Sequence, residues 1–219
     1  MTARFRRFAP VALAALLAIG LSGCRSKGDI VVEQGVGITA LRTVCPAVGV
    51  PDYTGDITLF SSKGRTASDM AMTAAITNVR ASCDDSGAQV YSVASFDVVA
   101  RRNDTRGAWK VTLPYFSTVV RGEKAVVAKR VGTVTLNFAP GQERAQASAQ
   151  AGAYIDRAEA TLPEDIRKRI TRKRKTGDDD AAIDPLNEPD VKAAVARASF
   201  ELLVGFQLTR DQLAYNVTR

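Results

Sequence analysis

Histidine is absent from all 219 residues of this chain. Without an imidazole side chain, the Ser-His-Asp and Cys-His arrangements of nucleophilic catalysis are excluded, and so are metal sites with histidine ligands. Two further nucleophile motifs, S-x-x-K and the G-x-S-x-G elbow, are also missing. The sequence therefore predicts no catalytic residues, no cofactor and no metal site.

A hydrolase built on two carboxylates stays open, because that chemistry needs no histidine. Four acidic residues near predicted strand ends or turns are candidates for it: Asp56, Asp97, Asp104 and Glu123. With 23 acidic residues in the chain, some pair of carboxylates will lie close together by chance. We treat this hydrolase as a remote alternative.

Long apolar runs are scarce, and the one long run lies at the N-terminus. Three arginines precede it, and Ala9–Leu21 is interrupted only by Pro10 and Gly20. A charged start, an apolar stretch of this length and small residues at its end are typical of an export signal rather than a membrane-spanning helix. No second run is long enough to cross a bilayer, so we expect any membrane attachment at the N-terminus.

The tetrapeptide Leu21-Ser22-Gly23-Cys24 ends this run and resembles the lipobox of bacterial lipoproteins. The resemblance implies that signal peptidase II removes residues 1–23 and that Cys24 then carries lipid as the first residue. The alternative is an ordinary secretory signal, or an uncleaved anchor, with a chance cysteine. The rest of the chain loosely resembles small envelope lipoproteins of Gram-negative bacteria, above all in Glu201–Asn216, and that resemblance implies no activity.

The residue after the cysteine bears on location within the envelope. Arg25 stands where the aspartate associated with inner-membrane retention in enteric bacteria would stand. The resemblance therefore implies the periplasmic face of the outer membrane rather than the inner membrane. Residues 24–33 are predicted to be a tether between the lipidated cysteine and the fold.

Cysteine is also scarce, with three residues in the chain and no C-x-x-C motif. If Cys24 carries lipid, the thiols of Cys45 and Cys83 remain, and an even pair in an oxidising compartment favours a disulfide. That bridge would contribute on the order of 4 kcal/mol in the chain-entropy description. Two buried free thiols or a redox pair are the alternatives, and the missing C-x-x-C argues against the redox pair.

Strand patterns fill residues 34–160, which we predict to form an antiparallel β-sandwich, immunoglobulin-like or of a similar Greek-key kind. Proline and glycine make Cys45–Gly55 a predicted loop. Alternating apolar residues predict a strand from Met70 to Cys83, with a slip of one residue before Val79. The segments Val90–Val98, Trp109–Val120 and Lys124–Phe138 predict three more strands.

The alanines within residues 143–154 recur at every second position. This period favours a further strand, although alanine is also the best helix former and a helix stays open. After residue 160 the composition changes. We predict that residues 161–219 form a helical region packed on the sandwich, with a charged loop at residues 167–187.

Two helix starts are visible in this C-terminal region, at Thr161–Asp165 and at Asn187–Asp190. Apolar residues from Val191 to Phe206 would share one face of the second helix. A strand at Phe200–Leu208 is the competing interpretation. The capping-box pattern Thr209-Arg210-Asp211-Gln212 predicts a last short helix.

Seven of the nine residues in Arg167–Lys175 are basic, and we predict that the first helix runs into this segment and stops at Thr176-Gly177. Behind an export signal, and without aromatic residues to stack on bases, nucleic acid is not an expected partner. Anionic lipid headgroups, an anionic envelope polymer or an acidic protein remain. The candidate contacts are Arg167, Lys168, Arg169, Arg172, Lys173, Arg174 and Lys175.

The plainer interpretation of this segment is a solvated helix face that Asp178–Asp180 partly neutralises. The nearby acids Asp178, Asp180 and Asp184 lack the glycine and terminal glutamate of a calcium-binding loop, so we predict a solvated acidic loop there. The sequence thus predicts a periplasmic lipoprotein with a non-enzymatic structural or interaction role. A binding module that uses the basic segment is the alternative.

Overall fold

The computed structural model describes residues 42–61, 64–122 and 124–219. The predicted signal, the lipidation residue Cys24 and the tether lie outside the described residues. Within the described ranges, eight strands form two four-stranded sheets that pack face to face, and helices follow in the C-terminal part. The predicted class, mainly β with a sandwich-like arrangement and C-terminal helices, is confirmed.

The first sheet has the strand order β1-β8-β5-β6 and the second has the order β2-β3-β4-β7. All neighbouring strands are antiparallel except β1 and β8, which are parallel. The strands are β1 (Ala47–Gly49), β2 (Asp56–Phe60), β3 (Met70–Asp84), β4 (Gln89–Arg102), β5 (Trp109–Arg121), β6 (Ala125–Phe138), β7 (Arg144–Asp156) and β8 (Phe200–Phe206).

The described α-helices are α1 (Glu164–Thr171), α2 (Pro189–Ala198) and α3 (Arg210–Thr218). Ile166 and Ile170 of α1 pack against Val191 and Ala194 of α2 in a small apolar cluster separate from the core of the sandwich. Helix α3 begins with the predicted capping box. The side chains of Thr209 and Gln212 each accept a hydrogen bond from the backbone amide of the other residue. This last helix packs beside β2.

Alternation of side chains builds the core between the two sheets. In β4 every second residue from Val90 to Arg102 is buried, because successive side chains of a strand point to opposite faces. The alanines of β7 also face inward, opposite the buried residues of β4. Residues 143–154 are therefore strand, as the period of two favoured.

The predicted slip in strand β3 is confirmed as a break in register. Pairing of β3 with β4 shifts between Thr77 and Arg80. Asn78 lies inside the shift with a φ of 52°, a left-handed conformation that asparagine tolerates better than most residues. The Asn78 side chain donates a hydrogen bond to Asp97 of β4 at 2.8 Å, which fixes the irregular turn to its neighbour.

Two predictions of secondary structure, for Cys45–Gly55 and for the segment up to Phe206, are corrected. The predicted loop Cys45–Gly55 contains β1, a three-residue strand at the edge of the first sheet. The helix predicted to continue to Phe206 ends at Ala198, and the competing strand is the one that forms, as β8. Strand β8 lies between β1 and β5, so the C-terminal region contributes an inner strand of the sandwich as well as helices.

Candidate functional site

The Cys45–Cys83 disulfide is present, with the two Cα atoms 6.1 Å apart. Cys45 lies just before β1 of the first sheet, whereas Cys83 lies near the end of β3 in the second sheet. The bridge therefore joins the two sheets covalently beside the point where the described chain begins.

Helix α1 ends at Thr171, in the middle of the basic segment, so the prediction of a helix through Lys175 is wrong. Within the helix, Lys168 forms an ion pair with Glu164 at 2.8 Å, one turn earlier. Arg169 forms ion pairs with Glu188 and Asp190 at the start of α2, the latter at 2.5 Å. The two ion pairs of Arg169 hold α1 against the start of α2.

The pKa shifts of Arg169 and Asp190 agree with this geometry. The hydrogen bond from Arg169 lowers the pKa of the Asp190 carboxyl below its ordinary value. The carboxylates of Asp190 and Glu188 in turn raise the pKa of Arg169. Arg169 and Asp190 are therefore both charged at neutral pH, so their contact is an ion pair and not a neutral hydrogen bond.

After the helix, the chain folds back on the acidic block that follows it. The side chain of Arg172 lies 2.5 Å from a carboxylate oxygen of Asp180, and Arg174 lies 3.3 Å from the other. Arg174 is only 3% exposed, which removes it from the surface. Four of the seven candidate cations are thus paired with acids of this chain.

The remaining candidates, Arg167, Lys173 and Lys175, are exposed, and none forms a salt bridge to an acid of the described ranges. The acidic side chains have structural contacts of their own. Asp178 accepts a bond from the amide of Lys175, and Asp184 caps a short 3-10 turn through the amide of Leu186. No cluster of three or more potential metal ligands occurs in the part of the chain that the structure describes.

The candidate carboxylates of a hydrolase have separate partners. Asp56 forms an ion pair with Arg219 at the C-terminus. Asp97 accepts hydrogen bonds from Ser148 at 2.6 Å and from Asn78, and these donors lower its pKa. The guanidinium of Arg106 holds the pKa of Asp104 well below its ordinary value.

Each of these three carboxylates thus has its own local partner, and none of them lines either of the two grooves described below. The fourth candidate, Glu123, lies outside the described residues.

A groove of about 1100 Å³ opens at the end of the sandwich where the described chain begins. We call it the entry groove. It lies between the segment Arg42–Ala47, the turn after β5 and helix α2. Its apolar lining includes Val44, Leu186, Val195 and Phe200.

Three exposed cations also line the entry groove: Arg42, Lys124 and Lys192. The Arg42 guanidinium donates to the Ser199 hydroxyl at 2.5 Å, which fixes the entering chain to the end of α2. A second groove of about 420 Å³ lies on the other side of the same entering segment and is lined by Arg167 and Ile170 of α1. Sequence reasoning missed the entry groove, because its residues lie far apart in the chain and form no local motif.

Beside the entry groove, the first half of β6 is exposed along its whole length. Val126 and Val127 are 64% and 51% exposed, unusual values for valines in a strand. Strand β6 is at the edge of its sheet. These exposed valines thus begin two residues after Lys124, which lines the groove.

No family model, curated protein or solved structure matches this chain with significant similarity. Among the described residues, no helix has the length and hydropathy that crossing a bilayer requires.

Proposed function

We propose that this chain is an exported envelope lipoprotein, tethered to a membrane through lipid on Cys24, with a non-enzymatic structural or interaction role. The observation that carries the proposal is Leu21-Ser22-Gly23-Cys24 at the end of a charged and then apolar N-terminus. The Cys45–Cys83 disulfide supports it, since such bridges persist in oxidising compartments outside the cytosol.

The proposed location is the periplasmic face of the outer membrane. Its support is Arg25, because the residue that follows the lipidated cysteine is not the aspartate associated with retention in the inner membrane. In this location a tethered β-sandwich would present its helices and grooves to other envelope components. The proposed further partner is an envelope protein or an anionic polymer.

A binding module that uses the basic segment is the second candidate. The exposed cations Arg167, Lys173 and Lys175 favour it. The ion pairs of Lys168, Arg169, Arg172 and Arg174 weaken it, since a cation that is already paired contributes less to an external anion. The first proposal therefore ranks above it.

Incorporation of labelled palmitate tests the lipid anchor directly. We expect the wild-type chain to be labelled and Cys24→Ser to remain unlabelled. The matched control is Cys45→Ser with Cys83→Ser, which removes both other thiols and should leave labelling intact. Separation of inner and outer membranes then tests the location. An unlabelled wild-type chain would overturn the proposal.

A further inference from the structure

The described chain begins beside the entry groove. Arg42 is the first described residue, and 17 residues lie between it and Cys24. A chain of that length spans at most about 60 Å when fully extended. With lipid on Cys24, this length lets the groove end of the sandwich reach the membrane, and that end holds the described residue nearest to Cys24 along the chain.

The charge of this surface suits an anionic membrane. Arg42, Lys124 and Lys192 are exposed cations around the groove, and Glu201, which is half-buried, is the acidic residue in its described lining. Each cation near a membrane with anionic lipids is attracted to the headgroups, and the attraction falls off within the Debye length.

The exposed valines lie close along the chain to one of these cations. Val126 follows Lys124 by two residues, about 7 Å of extended chain, and Val127 comes next, where the register of β6 against β5 shifts. Apolar side chains flanked by cations bind at the boundary between headgroups and acyl chains, because the apolar groups contact the acyl chains while the cations contact the headgroups. In water alone, exposure of two adjacent valines on a strand edge is a liability.

From this juxtaposition we propose that Arg42, Lys124, Val126 and Lys192 form a docking face for anionic phospholipid headgroups of the membrane to which the chain is tethered. The proposal rests on the proposed function, because it takes the lipid anchor as given. The anchor supplies attachment, and the docking face sets the orientation of the sandwich on the membrane.

Spin-label accessibility on the lipidated full chain tests the docking face. The chain carries a label at Val126→Cys and is reconstituted into vesicles of phosphatidylglycerol and phosphatidylcholine in equal parts, or of phosphatidylcholine alone. We expect the label to be accessible to oxygen and shielded from a polar relaxing agent in the anionic vesicles, and to be exposed to water in the neutral ones. The matched control is a label at Asn137→Cys, an exposed position near the other end of β6, which should stay in water throughout.

Removal of the cations provides the second readout. The double substitution Lys124→Gln with Lys192→Gln should reduce the ratio of docked to undocked chain roughly 25-fold, about fivefold for each cation. Lys110→Gln is the control, since Lys110 is an exposed cation at the start of β5 and does not line the groove.

A chain that enters the vesicles but keeps the Val126 label in water in both lipids would overturn the docking face and leave the anchor standing. A chain that does not associate with vesicles at all would overturn the proposed function instead. Shielding of the label only when an acidic protein is added would show that the surface takes a protein and not lipid.

Discussion

At the scale of single residues, the pair Tyr115 and Gly132 lets one side chain connect the two sheets of the sandwich. The Tyr115 ring of β5 passes over Gly132 of β6, and its hydroxyl donates to the Gln150 carbonyl of β7 at 3.0 Å. The same ring meets Phe96 of β4 edge to face at 5.2 Å. One side chain thus links strands of both sheets, and it does so only because position 132 has no side chain.

We expect Gly132→Ala to lower the free energy of unfolding by about 1–3 kcal/mol. An added Cβ would lie 2.5 Å from the Tyr115 ring, and moving that ring would disturb its contacts with Phe96 and Gln150. Denaturant unfolding measures the change. Gly107→Ala is the matched control, because a Cβ there meets nothing within 4 Å; equal stability of the two variants would contradict this account.

The Asp97 carboxyl gives the sandwich a dependence on pH. Hydrogen bonds from Ser148 and Asn78 lower its folded-state pKa below the ordinary value of 3.8. Its contribution to stability is therefore present above pH 3.8 and is lost as the pH falls through the lowered value. We expect the free energy of unfolding of Asp97→Asn to fall less steeply below pH 3.8 than that of the wild type.

Urea unfolding at several acidic pH values measures these slopes. Ser148→Ala, which removes the donor with the largest effect on the pKa, should flatten the slope in the same direction. Identical slopes in wild type and Asp97→Asn would show that this carboxyl is not shifted on folding.

At the scale of elements, the long strands were predictable and β8 was not. Strands β4 and β7 have one face towards the core and one towards solvent, so their sequences alternate. Strand β8 lies between two neighbours and is buried on most of its length, so Phe200–Phe206 is almost continuously apolar. A short apolar run without alternation fits a buried helix as well as a strand.

The same limit applies to β1 and to the end of helix α1. Strand β1 has only three residues among prolines and glycines, and its pairing with β8 is a tertiary contact that local composition does not reveal. Helix α1 stops at Thr171 although basic residues continue, because Arg172 and Arg174 turn towards Asp180. Long-range contacts decide both boundaries.

The cluster between α1 and α2 should unfold apart from the sandwich. Ile170 is 1% exposed within it, and Ile170→Ala should cost about 2–4 kcal/mol of the stability of this cluster. Hydrogen exchange should become faster in both helices and stay unchanged in β4 and β5. Ile183→Ala is the control, since that side chain is 51% exposed; uniform acceleration across the sheets would show a single cooperative unit.

The disulfide should stabilise the fold mainly by lowering the conformational entropy of the unfolded chain. Replacing Cys45 and Cys83 together by alanine should lower the free energy of unfolding by on the order of 4 kcal/mol, because the bridge closes a 38-residue loop. Denaturant unfolding of the double variant against the oxidised wild type measures this difference. A loss well under 1 kcal/mol would show that strand pairing alone joins the sheets.

At the scale of the whole molecule, the sequence predicted the disulfide partners but only part of the surface. With Cys24 assigned to lipid in the proposal, Cys45 and Cys83 leave one possible pairing, whereas the entry groove joins residues 42, 124 and 192. The density of charge in residues 167–175 and its partial neutralisation by Asp178–Asp180 were visible in the sequence. The ion pairs of Arg169 were not, because Glu188 and Asp190 lie about 20 residues away. The structure thus favours the entry groove over the basic segment as the candidate binding surface.

We propose that Cys24 is the lipid-bearing first residue of an exported chain. Intact mass of the chain isolated from the cell envelope, with thiol labelling under denaturing and non-reducing conditions, tests it most directly. We predict a mass that begins at Cys24 and includes diacyl or triacyl lipid, with no thiol that labels. A soluble chain without the lipid increment would contradict the claim, and the basic segment would then be open to soluble partners.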